Sequence, residues 1–415
     1  MTPLARLSTR FRVGKVGQNT VLGGIGLGVR AVIQAAYLIL LSRWLGASGY
    51  GLFSGSIASV MLVSPLAGWG VAYLVTQYVA RNPSRSRALW ATALVQIAVT
   101  GLVLTAAITL VMGAEFRERL DIVSLLLLGL AELVILPMAQ AGTGLCFALD
   151  RGMAAAVAIC LVPAGRVLAG IAIIALGFAQ APAVLATSHF AGSVIGVALT
   201  IVLIARIDGL PKWRDRLRMR DSLPQGSSYA IGNLVGLSYL VVDKVIMLQL
   251  LGATVLGPYN AAFRVIMVFA LPVSALVSAA LPRLFAEHAK QGEARTLKRM
   301  MLAAGAYGVA ASLAAWLIAP LMPRIFGPEF ANATRYVVLL APWPLLFALH
   351  QCGAAALTSS DRQKARVVVD GFGLILVVGL NLLLLQRFGP VVSIASLLLA
   401  EAFMATYCWL MYMRR

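Results

Sequence analysis

Eight charged side chains lie inside long apolar stretches of the sequence, and their types limit the chemistry that they can do. They are Arg30, Arg166, Lys244 and Arg264 on the basic side, and Glu132, Asp243, Asp370 and Glu401 on the acidic side. A charge at the centre of a bilayer costs about 2.5–3.5 kcal/mol, so each of these groups is expected to face protein or water. An arginine guanidinium binds phosphate through two parallel hydrogen bonds, and a diphosphate presents several such edges. The eight charges therefore predict either a polar cavity that binds an anion or a set of buried ion pairs.

The apolar stretches that must position these charges recur from one end of the chain to the other. Of the 415 residues, 60% are hydrophobic and 12% are charged, and the mean hydropathy is +0.90. Soluble domains are closer to a quarter charged, whereas about 20 apolar residues in a helix cross a bilayer core. We count about twelve candidate spans, at 21–42, 52–80, 88–113, 121–149, 153–177, 183–206, 226–251, 257–282, 300–322, 333–358, 366–388 and 391–413. The sequence thus predicts an all-α integral membrane protein, and no loop is large enough to form a soluble domain.

The formal net charge of +19 is distributed in a way that predicts topology. Every second loop carries Arg or Lys, at 6–15, 81–87, 151, 206–220, 283–299, 362–366 and 414–415, and the opposite loops together hold six basic residues. Basic loops face the cytoplasm, so both termini are expected there, which agrees with an even number of spans. The basic excess suits the anionic headgroups of the phospholipid bilayer, and we expect no binding to nucleic acid.

The two halves of the chain carry a partial repeat. The segment "LGASGYGLFS" at 45–54 aligns without gaps with "LGATVLGPYN" at 251–260, at an offset of half the chain. Six spans on either side of the basic loop predict two pseudo-symmetric six-helix lobes in the same orientation, and transporters built in this way bind substrate between their lobes. The predicted divisions are a basic N-terminal segment (1–18), an N-lobe (19–206), a cytoplasmic linker (207–224) and a C-lobe (225–415).

The basic groups expected to share a hydrated cavity are Arg30 from the first half and Lys244 and Arg264 from the second. Gln34 follows Arg30 by one helical turn on the same face. In this interpretation Asp243 holds the basic groups in place, or exchanges partners as the cavity opens to the other side of the membrane. In the structural alternative, Asp243 pairs with Arg264, and Lys244 extends its ammonium toward the membrane surface. Because adjacent residues on a helix point about 100° apart, both interpretations predict that Asp243 and Lys244 do not pair.

The other buried charges have simpler interpretations. Glu132 and Arg166 come from neighbouring spans at similar depth, which favours a buried ion pair. Glu401 lies near the middle of the last span without an obvious partner, which leaves a protonated carboxyl or a role in proton coupling open. Asp370 lies close to the predicted cytoplasmic interface. The four cysteines lie inside spans without close spacing, so we expect no disulfide, metal or cofactor.

Two motifs at equivalent places in the halves resemble a known family. They are "LSRWLGASGYGLFS" at the end of the first span and "VDKVIMLQLLGATVLGPYNAAFRV" across the seventh and eighth. With the predicted helices, they resemble bacterial polysaccharide transporters, the lipid-linked oligosaccharide flippases of the superfamily that also contains the multidrug-and-toxin (MATE) exporters. The resemblance implies a MATE-like fold in the cell inner membrane, alternating access, and a polyprenyl-diphosphate-linked sugar as cargo. It also implies that Arg30 and Arg264 are cavity arginines, and that other polysaccharide-assembly membrane proteins are partners.

Two other functional classes compete with the flippase. A cation-coupled multidrug exporter of the same fold would use an unpaired carboxylate in the first half, where this sequence has Arg30 and a Glu132 that Arg166 can neutralise. A membrane enzyme acting on the same lipid would need a convergent acid, base or metal-binding set near the outer face, and the predicted outer loops are short. We therefore expect a transporter and not an enzyme.

Overall fold

The computed structural model describes residues 15–115, 121–289, 295–360 and 362–414, and every regular element within these ranges is helical. The first half comprises α1 (Lys15–Leu62), α2 (Val71–Arg81), α3 (Ser86–Glu115), α4 (Ile122–Leu130), α5 (Leu136–Ala148), α6 (Gly152–Ala175) and α7 (Pro182–Asp208). A π-helical segment, Ala131–Ile135, joins α4 to α5 just before Pro137. The predicted N-terminal segment 1–18 lies outside the described residues as far as residue 14.

The second half begins after a short linker and contains more interruptions. It comprises α8 (Met219–Ser238), α9 (Val242–Leu251), α10 (Ala253–Val268), α11 (Ala270–Ala289), α12 (Arg295–Ile318), α13 (Met322–Phe326), α14 (Ala331–Leu340), α15 (Trp343–Ser359), α16 (Gln363–Phe388) and α17 (Val391–Met413). Two pairs of these helices bend sharply where they meet, α8 with α9 by 48° and the 328–340 segment with α15 by 45°.

The number of membrane-length helices differs from the twelve predicted. The described part of the chain has nine helices long and apolar enough to cross a membrane, or eleven if each bent pair is one span. The difference lies at the start of the chain, where the predicted spans 21–42 and 52–80 share α1. Gly46 bends α1 with φ 67° and ψ −176°, a conformation that glycine adopts without steric penalty. Hydropathy alone does not distinguish such a bend from a loop.

The repeat seen in the sequence has a counterpart in backbone geometry. Gly252, which aligns with Gly46 in the repeat, has φ 83° and ψ 176° and separates α9 from α10. Downstream of these two glycines, Gly51 on α1 packs against the carbonyl of Ala253, and Gly257 on α10 packs against the carbonyl of Ala47. The two contacts are reciprocal, as a two-fold axis between the halves requires. The halves therefore meet through equivalent segments, and the lobe boundaries 19–206 and 225–415 stay a prediction.

Polar contacts close the halves against each other near these glycines. Arg43 donates from Nε to the carbonyl of Ile325 (2.8 Å) and from Nη2 to that of Arg324 (2.5 Å). The carboxylate of Glu329 accepts a hydrogen bond from the backbone N–H of Ala47 (2.8 Å). We call this region, formed by residues 43–51, 252–257 and 324–329, the Gly46 end. The largest buried apolar cluster runs through both halves beside it.

Candidate functional site: an arginine-lined cavity

A cavity of about 530 Å³ lies between the halves, with α1 on one wall and α10 on the other. Arg30 and Gln34 line it from α1, and Arg264 lines it from α10, so three of the residues predicted to share a cavity do share one. Ile325 and Phe326 line it from α13, the short helix whose carbonyls bind Arg43. The contacts of the Gly46 end thus adjoin the cavity.

The helices that meet at the Gly46 end also position the two arginines. Every residue of α10 from Leu256 to Phe263 is buried, and Arg264 is the first exposed residue after this packed segment. Arg30 is partly exposed on α1, one turn before the exposed Gln34. Within the described ranges, neither arginine has an acidic side chain within 4 Å. Both guanidinium groups therefore face the cavity with their charges uncompensated by a direct partner.

The cavity also contains a network that the sequence predicted only in part. The ion pair predicted between Arg166 and Glu132 is present, with 2.8 Å between Nη2 and Oε1, but both side chains line the cavity. His189 on α7 joins them, because its Nε2 lies 2.8 Å from the same Oε1. On its other side, His189 Nδ1 lies 2.9 Å from the hydroxyl of Tyr37 on α1. Three arginines and one carboxylate thus face the cavity.

Close helix packing brings His189 to this network. Gly165 on α6 and Gly192 on α7 touch backbone to backbone, and a Cβ on Gly192 would lie 2.5 Å from the Gly165 carbonyl oxygen. Small residues allow such close approach between membrane helices. Arg166 directly follows Gly165, and His189 lies one turn before Gly192. The close contact of the two glycines therefore brings the two side chains together. Sequence reasoning missed His189 because its partners are 57 and 152 residues away. The glycines of α6 and α7 were the only local indication that these two helices pack closely at this depth.

Lys244 was expected in the cavity, and the structure places it elsewhere. It is buried, and its Nζ contacts both carboxylate oxygens of Asp243, at 3.0 and 3.2 Å, and the carbonyl of Leu240 at 2.8 Å. The same Nζ lies 3.4 Å from the centre of the Phe263 ring, and Tyr259 donates a hydrogen bond to Asp243.

These contacts correct two expectations from the sequence. The prediction that Asp243 and Lys244 do not pair is wrong, because the flexible lysine stem folds back across the angle that separates the two Cβ atoms. The proposed Asp243–Arg264 pair is also absent from the described residues, since Arg264 turns into the cavity and Asp243 is fully buried. Asp243 therefore holds Lys244 inside the packed second half.

Glu401, predicted without a partner, lies in a second buried cluster away from the cavity. Its carboxylate is 2.8 Å from His350 Nδ1 and accepts a hydrogen bond from the Tyr239 hydroxyl at 3.1 Å. His350 Nε2 lies 3.3 Å from Asp370, which in turn lies 3.7 Å from Arg366. In the part of the chain that the structure describes, no group of three or more His, Cys, Asp or Glu residues could hold a metal ion.

Comparisons with known proteins give one family and one fold. The family described as "Polysaccharide biosynthesis protein" matches residues 16–287, and a comparison with curated proteins gives no match. The structure is similar to the inward-facing conformation of a multidrug resistance MATE family transporter of the MOP superfamily (TM-score 0.75, 14% identity, 94% of this chain and 97% of that chain). It is also similar to the outward-facing conformation of such a transporter (TM-score 0.70, 14% identity, 96% and 94%).

A third similar structure is described by the charge of its pocket. It is a MOP superfamily transporter from Pyrococcus furiosus Vc1 (DSM3638), for which a reverse polarity of the binding pocket suggests a different function (TM-score 0.67, 16% identity, 96% of this chain and 94% of that chain). At these identities the likeness shows a MATE-like fold and leaves the ligand open. The charges that line the cavity of this chain must therefore be interpreted on their own.

Proposed function

The chain belongs to the polysaccharide biosynthesis protein family and has the fold of MOP-superfamily transporters, and from this premise we propose that it is a flippase for a polyprenyl-diphosphate-linked oligosaccharide. The observation that carries the proposal is the pair Arg30 and Arg264, which line one cavity from opposite halves without an acidic partner among the described residues. Each arginine can bind phosphate oxygens through two parallel hydrogen bonds, and a diphosphate offers oxygens to both.

The rest of the cavity suits the other parts of such a cargo. Its volume of about 530 Å³ falls in the range that holds a compact polar headgroup. Gln34 and Gln140 add amide groups that can hydrogen-bond sugar hydroxyls. Val268 and Leu271 line the same cavity and are exposed, which suits contact with the lipid chain. In this proposal the headgroup occupies the cavity while the lipid chain stays in the bilayer.

The proposed direction follows from charge. With both termini in the cytoplasm of a bacterium, as the basic loops predict, the cargo would move outward across the inner membrane. A membrane potential that is negative inside favours outward movement of an anion by about 2.3 kcal/mol per charge per 100 mV. The alternating access implied by the fold requires the contacts of the Gly46 end, which close one side of the cavity, to separate during transport.

Binding of farnesyl diphosphate, a short polyprenyl diphosphate, to the purified protein tests this function. We expect saturable binding that Arg30→Ala and Arg264→Ala each weaken by about tenfold or more, because a hydrogen bond to a charged group contributes ~1.5–3 kcal/mol. Arg387→Ala is the matched control, since Arg387 is an exposed arginine outside the cavity and its loss should leave binding unchanged. Farnesol, which lacks the diphosphate, should not compete.

A cationic dye as the second ligand separates the flippase from the multidrug exporter. The exporter predicts dye binding that Arg30→Ala and Arg264→Ala leave intact or strengthen, since each substitution removes a positive charge from the cavity. The flippase predicts that the dye fails to displace farnesyl diphosphate. Dye binding without diphosphate binding would contradict the proposal.

A further inference from the structure

Arg166 differs from the other two cavity arginines because it has an acidic partner, Glu132, and this difference points to a specific role for that carboxylate. Arg30 and Arg264 face the cavity without a direct acidic partner in the described ranges, whereas Arg166 has the carboxylate of Glu132 at 2.8 Å. The Arg166 side chain is 13% exposed and that of Glu132 is 2% exposed, and both line the cavity. The pair therefore lies where a cargo phosphate would arrive under the function proposed above.

Arg166 is held in place by a contact other than the ion pair. Its Nε donates to the Ser193 hydroxyl at 2.8 Å, and that hydroxyl donates to the carbonyl of His189 at 2.6 Å. Its Nη2 is close to Glu132 but has no acceptor at hydrogen-bond geometry among the described residues. The guanidinium thus keeps its orientation through Ser193, while its buried Nη2 becomes available to another anion only when the Glu132 carboxylate moves away.

Glu132 is likewise supported without Arg166. Its Oε1 lies 2.8 Å from His189 Nε2, and His189 Nδ1 lies 2.9 Å from the Tyr37 hydroxyl. A neutral imidazole with its proton on Nε2 satisfies both contacts, donating to the carboxylate and accepting from Tyr37. Glu132 also lies in the π-helical segment Ala131–Ile135, and such segments occur often at functional sites in helices. The ion pair can therefore open while both partners keep a hydrogen bond.

We propose that the Glu132 carboxylate is an internal substitute ligand, which holds Arg166 in the empty cavity and gives way to a phosphate of the cargo. Binding then exchanges one anion on Arg166 for another, and only the difference between the two interactions contributes to affinity. The cargo phosphate gains three arginines instead of two, while the returning carboxylate competes with it and promotes release. Glu132 thereby sets the affinity at a level from which a transporter can discharge its cargo.

The substitution Glu132→Gln tests this role, because it removes the competing charge and keeps an oxygen that accepts from His189. We expect Glu132→Gln to bind farnesyl diphosphate about tenfold more tightly than the wild type at equal ionic strength, a change of ~1.4 kcal/mol. In proteoliposomes containing a fluorescent polyprenyl diphosphate, the same variant should flip the lipid more slowly at saturation. Glu132→Asp, which keeps the carboxylate, should bind with nearly wild-type affinity.

A second substitution excludes a merely structural effect. Arg166→Gln should weaken binding, and in this background Glu132→Gln should have no further effect, since its consequence depends on freeing Arg166. Elution volume and thermal unfolding midpoint in detergent verify that each variant is folded. If folded Glu132→Gln binds no more tightly than the wild type, the inference is wrong.

The same measurements separate this inference from the proposed function. Binding to the wild type that Arg30→Ala abolishes, with no gain in Glu132→Gln, would keep the flippase and reject the substitute ligand. Binding that emerges only in Glu132→Gln would support the substitute ligand, because the carboxylate then outcompetes the diphosphate in the wild type. No binding in either protein would reject both.

Discussion

Replacing Gly257 with alanine is expected to force the two halves apart at the Gly46 end. A Cβ at this position would lie 3.0 Å from the carbonyl carbon of Ala47 and closer still to its oxygen, whereas ordinary contacts begin near 3.4 Å. The obstructing atoms are backbone, so no rotamer change on α1 can relieve the clash. Packed interiors tolerate little added volume, and α1 and α10 must separate by roughly 1 Å.

The loss of stability caused by this separation can be estimated from the contacts that require the two helices to be close. Overpacking by one methyl group in a packed site costs about 1–3 kcal/mol. The displacement also strains the hydrogen bond from Asn260 to the Tyr50 hydroxyl (3.1 Å) and the one from Ala47 to Glu329 (2.8 Å). We therefore expect Gly257→Ala to lie at the upper end of that range.

Thermal unfolding of the purified protein in detergent measures this effect. Gly379→Ala is the matched control, because Gly379 lies within α16 and a Cβ there would meet no atom within 4 Å. Alanine is favoured over glycine in a helix by about 1 kcal/mol, so the control should unfold at or above the wild-type temperature. If Gly257→Ala unfolds at the same temperature as Gly379→Ala, the close contact between the halves is refuted.

Two further substitutions probe the buried charges outside the cavity. Lys244→Met leaves the carboxylate of Asp243 buried without its cation, which should destabilise the fold by about 3–5 kcal/mol. The double variant with Asp243→Asn should recover much of this loss in the same unfolding assay. An equally unstable double variant would contradict the pairing. Glu401→Ala leaves His350 and the Tyr239 hydroxyl without their shared carboxylate, which should lower the free energy of unfolding by about 1–3 kcal/mol. The affinity for farnesyl diphosphate should stay at the wild-type value. A lower affinity would indicate that this cluster contacts the cargo.

Sequence reasoning was most successful where the signal was local or repeated. Hydropathy located the helices, and the motif shared by the halves pointed to Gly46 and Gly252, whose backbone angles match. Arg30 and Gln34 could be assigned to one face because they are one turn apart. A loop was predicted at 43–51, where α1 bends at Gly46 and continues as a helix, because hydropathy does not distinguish a bend from a loop.

The contacts that sequence reasoning missed depend on tertiary packing. Glu401 meets His350 and Tyr239 across 51 and 162 residues, and no spacing rule joins positions so far apart. Lys244 is a different case, because the directions of neighbouring Cβ atoms do not limit the reach of a long, flexible side chain. The apolar ring of Phe263 beneath its ammonium supplied the surface on which the lysine folds back.

Arg30 and Arg264 lie on the same two helices whose backbones touch at the Gly46 end, so the proposed binding of a diphosphate would be linked to the separation of the halves. A ligand shifts an equilibrium between two conformations only by the difference in its affinity for them. A diphosphate held by both arginines has such a difference, because opening the Gly46 end changes the distance between α1 and α10. Gly257→Ala should therefore change the affinity for farnesyl diphosphate as well as the stability, whereas Glu401→Ala should change the stability alone. Equal affinities in these two variants would mean that the spacing of the arginines does not depend on the contact between the halves.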